Sequence, residues 1–131
     1  MSTPRLWPFK QRTPPRVAVV RLDADSASPD DDFPVLTVGQ SRLTESFSRL
    51  GFTAEDEPRL CSATLTPIVD PNLQRIADIT VSVDGQVVGY LRSPDLNRAS
   101  ALMDDHHADA LVVPCRMFWS PAGPEVNLRL P

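Results

Sequence analysis

The side chains best suited to chemistry in this sequence lie at 104–109, DDHHAD, where Asp104, Asp105, His106, His107 and Asp109 are all metal-capable. Their spacing argues against a site. Neighbouring histidines on a helix diverge by about 100°, whereas metal pairs on helices sit at i, i+3 or i+4. Asp105 and Asp109 do have the i, i+4 spacing, but carboxylates at a helix end ordinarily face water. No metal and no cofactor is therefore expected. Cys61 and Cys115 have no other cysteine near them in the chain. Both fall in expected strands, where a free thiol is usually a small buried hydrophobe. Glu55, Asp56 and Glu57 share one loop and read as a solvated run rather than an acid–base pair. The chain has no Gly-x-Ser-x-Gly elbow, phosphate-cradling glycine loop or dinucleotide fingerprint. No catalytic residue is assigned, and nothing in these residues requires an enzyme.

Composition narrows the remaining classes. A chain of 131 residues predicts one domain, or one domain with a tail. Lys and Arg number 13 against 17 Asp and Glu, a net charge of −4, so a strongly basic DNA coat is excluded. No apolar run approaches the roughly 20 residues of a membrane helix. Pro4, Pro8, Pro14 and Pro15 interrupt any secretory leader. With two cysteines and no export signal, reduced thiols and a cytoplasmic location are expected.

The elements that must position any site begin after a charge-segregated stretch. Residues 1–32 carry Arg5, Lys10, Arg12, Arg16 and Arg21 first, then Asp23, Asp25, Asp30, Asp31 and Asp32. Proline removes backbone donors and the acidic run repels itself, so most of this segment is expected to be an extended, solvated tail or linker. Only Arg16–Leu22 has strand composition, fit for an edge strand or a mobile arm. Trp7 and Phe9 beside Lys10 have the make-up of a short docking motif. A solubilising leader is the simpler reading, because isolated arginines are weak evidence of a partner.

From Phe33 to the C-terminus the pattern is that of a folded domain. Phe33–Val38 reads as a strand ending at Gly39. Leu43, Phe47 and Leu50 then recur at helical spacing, with Ser41 to cap the start and Gly51 past the end. Arg59–Thr66 alternates as a strand, with Cys61, Ala63 and Leu65 on one face, and Pro67–Pro71 reads as a break. ADITVSV, Asp84-Gly85 and QVVGYL predict a hairpin with a two-residue turn. Ser93 as cap and Pro94 at the first helical position open a second helix, whose stripe is Leu96, Ala99, Leu102 and Met103. Ala110–Trp119 is an apolar strand broken at Pro114, and Glu125–Leu130 is the last strand. The order predicts an α+β, mainly β domain with an antiparallel sheet curled towards a barrel.

The blocks VGQSRLTESFSRLGF (38–52), VDGQVVGYL (83–91) and VPCRMFW (113–119), in this order, resemble a HIRAN domain over residues 33–131. The resemblance implies an OB-like barrel of about six strands with two helices. It also implies binding of single-stranded DNA at its 3′ end, as a non-enzymatic accessory in DNA repair or processing. The family's Asn-Pro-Tyr-Asp loop falls on Asn72, Leu73, Gln74 and Arg75, so only Asn72 matches. Its stacking tyrosine is replaced by Gln74 and its acceptor aspartate by Arg75, with Asp70 close by as a substitute acceptor. The family's other aromatic position falls around Arg42 and Leu43. Asn72, Gln74, Arg75, Arg42 and Tyr90 are the expected nucleic-acid contacts, with Arg42 and Arg75 fit to clamp a phosphate and Tyr90 to stack on a base or pack the barrel. Residues 33–131 hold 8 basic and 12 acidic side chains, so binding to long DNA should be weak and salt-sensitive. The alternative is a module whose end pocket has decayed and which docks a protein partner. By strand alternation either Phe118 or Trp119 should be exposed, and Trp119 beside the SPAG turn is the candidate partner surface.

Overall fold

The computed structural model describes residues 15–24, 27, 28 and 30–131. Arg5, Trp7, Phe9, Lys10 and Arg12 lie outside the described residues.

Period-two alternation becomes strands wherever one face meets a core. The strands are β1 (Val20–Arg21), β2 (Val35–Val38), β3 (Arg59–Asp70), β4 (Arg75–Val83), β5 (Gln86–Leu91), β6 (Leu111–Ser120) and β7 (Gly123–Leu128). Helix α1 spans Thr44–Arg49 and helix α2 spans Ser93–Asp105. The sheet runs β6-β3-β4-β5-β2-β7 and returns to β6, so six antiparallel strands close into a barrel. Closure gives every strand of that ring a partner on each side over at least part of its length. Inside it lie Leu65, Ile79, Val81, Leu111, Val113, Met117, Val126 and Leu128, all fully buried. This is the expected OB-like, mainly β architecture. No helix among the described residues is long and apolar enough to cross a membrane.

Strand β1 is the seventh and pairs parallel with β6. The amides of Val20 and Leu22 donate to the carbonyls of Ala110 and Val112 at 3.1 and 2.8 Å. Arg16 is ion-paired with Asp109 and also donates to the Ala108 carbonyl. Of the two options for Arg16–Leu22, the chain therefore adopts the edge strand, with Leu22 buried in the core. The same contacts place Asp109 of the DDHHAD run in an ion pair. Among the described residues no three metal-capable side chains cluster.

Two prolines expected to break strands do not. Strand β3 continues through Pro67 to Asp70. Its pairing with β6 ends at Leu65, so beyond that point one side of β3 is an edge, where a missing N–H costs no ladder bond. Strand β6 runs unbroken through Pro114. There it passes from β1, which pairs at Leu111 and Val112, to β7, which pairs from Cys115 onward. The Pro114 carbonyl accepts from Arg129 on that same side, so the ring nitrogen faces the gap between neighbours. Two caps also differ from expectation. Helix α1 is preceded by Leu43 rather than capped by Ser41, and α2 begins at Ser93 with Arg92 as the flanking residue. Gly51, at φ 66°, does end α1 as expected. The last strand begins and ends two residues earlier than expected, at Gly123–Leu128.

Candidate nucleic-acid interface

Tyr90 reaches the outer face of the barrel because of an irregularity in the hairpin. Around Asp84-Gly85, Val83 pairs with Gln86 and Ser82 with Val87. Continued regularly, that register would set Tyr90 opposite Ile79, on the buried face. The register shifts between Val81 and Ser82, and Tyr90 instead pairs with Thr80. One extra residue, Val88, turns the tyrosine outward, as a bulge does when it re-aims a side chain.

A short loop then holds the ring and brings a cation beside it. Gly39, at φ 88°, lets the chain leave β2 sharply into the 3-10 turn Gln40–Arg42. A β-carbon on Gly39 would lie 3.0 Å from Cδ1 of Tyr90, so the ring rests against bare backbone. The Gln40 side-chain amide donates to the Thr37 hydroxyl at 2.7 Å and to the Thr37 carbonyl at 3.1 Å. Thr37 is buried and donates in turn to the Val126 carbonyl at 2.8 Å. This chain of bonds ties the turn that carries Arg42 to the barrel wall.

The result is an open groove of about 790 Å³, lined by Val38, Ser41, Arg42, Ile68, Asp78 and Tyr90 among others. Arg42 makes no ion pair among the described residues. Asp78 accepts the Ile79 amide at 2.8 Å through one oxygen. Val38 and Ile68 are exposed by 41% and 47%, so apolar surface flanks the aromatic ring. The arrangement offers a π face, a guanidinium, a hydroxyl and a carboxylate within one concavity.

The other expected contacts sit elsewhere. Asn72 lies in the exposed turn between β3 and β4. Gln74 and Arg75 line a second hollow of about 580 Å³ with Asp70, Asn97, Ser100 and Asp104, between the β3–β4 turn and α2. The structure thus brings Arg42 and Tyr90 together but gives Arg75 a different pocket. One Asp70 oxygen accepts the amides of Asn72 at 2.8 Å and Leu73 at 3.3 Å, and its carbonyl accepts Gln74. Asp70 therefore closes the turn, a local role for a short carboxylate that holds Gln74 at φ 51°.

Neither Phe118 nor Trp119 is fully exposed; both are half-buried. The Trp119 ring stacks on Phe52 with centroids 6.3 Å apart, and Phe118 lies under the Arg116 guanidinium. Trp119 follows Met117 onto the inner face, where Phe52 covers it, and Phe118, on the outer face, is covered by the Arg116 guanidinium. Trp119 lines a shallow apolar pocket of about 280 Å³ with Phe47, Phe52 and Pro124.

Ile68 and Asp78 were not singled out by sequence reasoning, and Gly39 and Ser41 were read only as a strand end and a helix cap. Asp78 and Thr80 alternate with the buried Ile79 and Val81, a signal that did mark an outward face. No signal in the sequence marks the bulge that adds Tyr90 to it. The chain matches no family model, no curated protein and no solved structure.

Proposed function

We propose that this protein is a non-enzymatic binder of single-stranded nucleic acid, DNA by preference and at or near a 3′ end, acting as an accessory in DNA repair or processing. The observation that carries the reading is the shared groove of Tyr90 and Arg42 on the outside of an OB-like barrel. A base stacked on an aromatic ring with a guanidinium at its phosphate is the usual way such barrels hold single strands. Apolar Val38 and Ile68 beside the ring suit a base better than a free phosphate. The excess of acidic side chains supports a short site over a long DNA track, because non-specific affinity rests on phosphate neutralisation. The reading places the protein in the cytoplasm with reduced thiols.

Fluorescence anisotropy of a short labelled single strand at low salt tests it, with a free 3′-hydroxyl compared with a phosphorylated 3′ end. Stronger binding to the free end is expected. Tyr90→Ala should weaken binding roughly tenfold, the worth of one aromatic stack at about 1–3 kcal/mol. Arg42→Gln should lower the salt slope by about 0.7, one phosphate contact on a single strand. No binding to any strand removes the reading and turns attention to a protein partner.

A further inference from the structure

Two cysteines far apart in sequence face each other across the barrel wall. Cys61 of β3 and Cys115 of β6 are direct register partners in an antiparallel pair. Directly opposed residues point to the same face of a sheet, here the inner one. Cys115 is fully buried in the core, and Cys61 packs against the same core while remaining partly accessible. The kind of pair follows from the neighbours. On β6 the carbonyls of Ala110, Val112 and Pro114 all point away from β3, accepting from Val20, Leu22 and Arg129. The alternate residues, Leu111, Val113 and Cys115, therefore turn their backbone groups towards β3. Cys61 and Cys115 thus form a hydrogen-bonded pair, with α-carbons about 5.5 Å apart. That lies within the range of about 4.4–6.8 Å that a disulfide spans. The β-carbons of such a pair stand about 5.5 Å apart rather than the roughly 3.5–4.5 Å of a relaxed bridge, so closure strains the wall and leaves a readily reduced disulfide.

We infer that Cys61 and Cys115 form a redox-responsive modification site that closes to an intramolecular disulfide on reaction with a small-molecule disulfide. Cys61 is the attacking thiol, because it alone is accessible. Its proton goes to solvent and its sulfur bonds to one sulfur of the reagent, releasing the first thiolate. The Cys115 thiol then loses its proton and attacks the Cys61 sulfur. The Cys61–reagent bond breaks and the second thiolate leaves. Two protein thiols are oxidised and one small disulfide is reduced to two thiols. Burial pushes both thiols above the usual cysteine range, with the Arg59 charge partly opposing this at Cys61. The reaction is therefore slow at neutral pH and faster in alkali. Closure would clamp β3 to β6 and enclose residues 62–114 in a covalent loop that contains β4, β5 and α2.

The test is incubation of the full chain with oxidised glutathione, followed by denaturation, alkylation without reductant and intact-mass measurement. A monomer with neither cysteine alkylated, restored to two alkylations by reductant, is the expected result. Cys115→Ala, which keeps a small apolar group in the core, should stop at a mixed disulfide on Cys61. Cys61→Ser should take up no glutathione. A stable mixed disulfide on the wild-type chain, two free thiols after prolonged oxidation at pH 9, or a disulfide-linked dimer would each overturn the inference.

Discussion

Single side chains in this barrel are held at close quarters, and Gly89 shows how close. A β-carbon there would stand 2.9 Å from the hydroxyl of Thr37, the residue that anchors the Arg42 turn. Thr37 is buried and bonded on two sides, so it has little room to give. Gly89→Ala is expected to cost about 1–3 kcal/mol in urea unfolding, the usual penalty for overpacking. The same change should weaken strand binding by displacing Arg42. If stability falls while binding per folded molecule is unchanged, the turn is not what places the cation. The Trp119 indole presents a different residue-scale problem. Its Nε1 is buried with no hydrogen-bond partner in the described structure, although an indole donor usually finds one. Its stacking on Phe52 offsets that cost with apolar contact.

At the scale of elements, the strength of each strand follows from what it pairs with. Strand β1 is two residues long and leans on a single neighbour, whereas β3 is paired from end to end, with β6 over 59–65 and with β4 over 64–70. Local opening should therefore be cheap at β1 and dear at β3 and β6. Hydrogen exchange by NMR is expected to show the amides of Val17, Val20 and Leu22 exchanging much faster than those of Leu65 and Val113. Equal protection would mean that the N-terminal strand folds as one unit with the barrel. The hairpin β4–β5 was the most legible element, since Asp84 and Gly85 both have positive φ, as the two-residue turn demands. The prolines were the least legible. Pro67 and Pro114 read as breaks because proline lacks a donor, yet each occupies a position where the sheet has no acceptor to offer. That vacancy belongs to neighbouring strands and leaves no mark on the local sequence.

For the whole molecule, the shifted titration of two groups, Cys115 and Asp31, makes stability depend on pH. Cys115 is deprotonated more readily in the unfolded chain than in the core, where burial raises its pKa. Above about pH 8.5, the ordinary cysteine value, the unfolded state holds fewer protons, so stability falls as pH rises. At the acid side the sign reverses. The Ser28 amide and the Arg129 guanidinium hold the Asp31 carboxyl below its usual range, against the opposing effect of burial. The stability this supplies is present above about pH 4 and is lost as the carboxyl protonates. Chemical denaturation from pH 7 to 10 should show a decline in the wild type that is shallower in Cys115→Ala. A decline of equal slope in both would assign it to other groups. Taken by itself, the sequence determined the strands, the helices and the mainly β class. Alternation, the Asp84-Gly85 turn and two helical stripes each act between near neighbours, and together they pointed to an antiparallel sheet curled towards a barrel over one core. Arg42, Tyr90 and Arg75 were expected as binding residues from the family resemblance alone, not from this patterning. Only the tertiary structure decided that Arg42 and Tyr90 share a groove while Arg75 lies in another, and that Cys61 meets Cys115. Those outcomes turn on strand register, and one bulged residue moves a side chain from one face of a sheet to the other. Register is fixed by the closure of the whole ring, which no local stretch of sequence encodes.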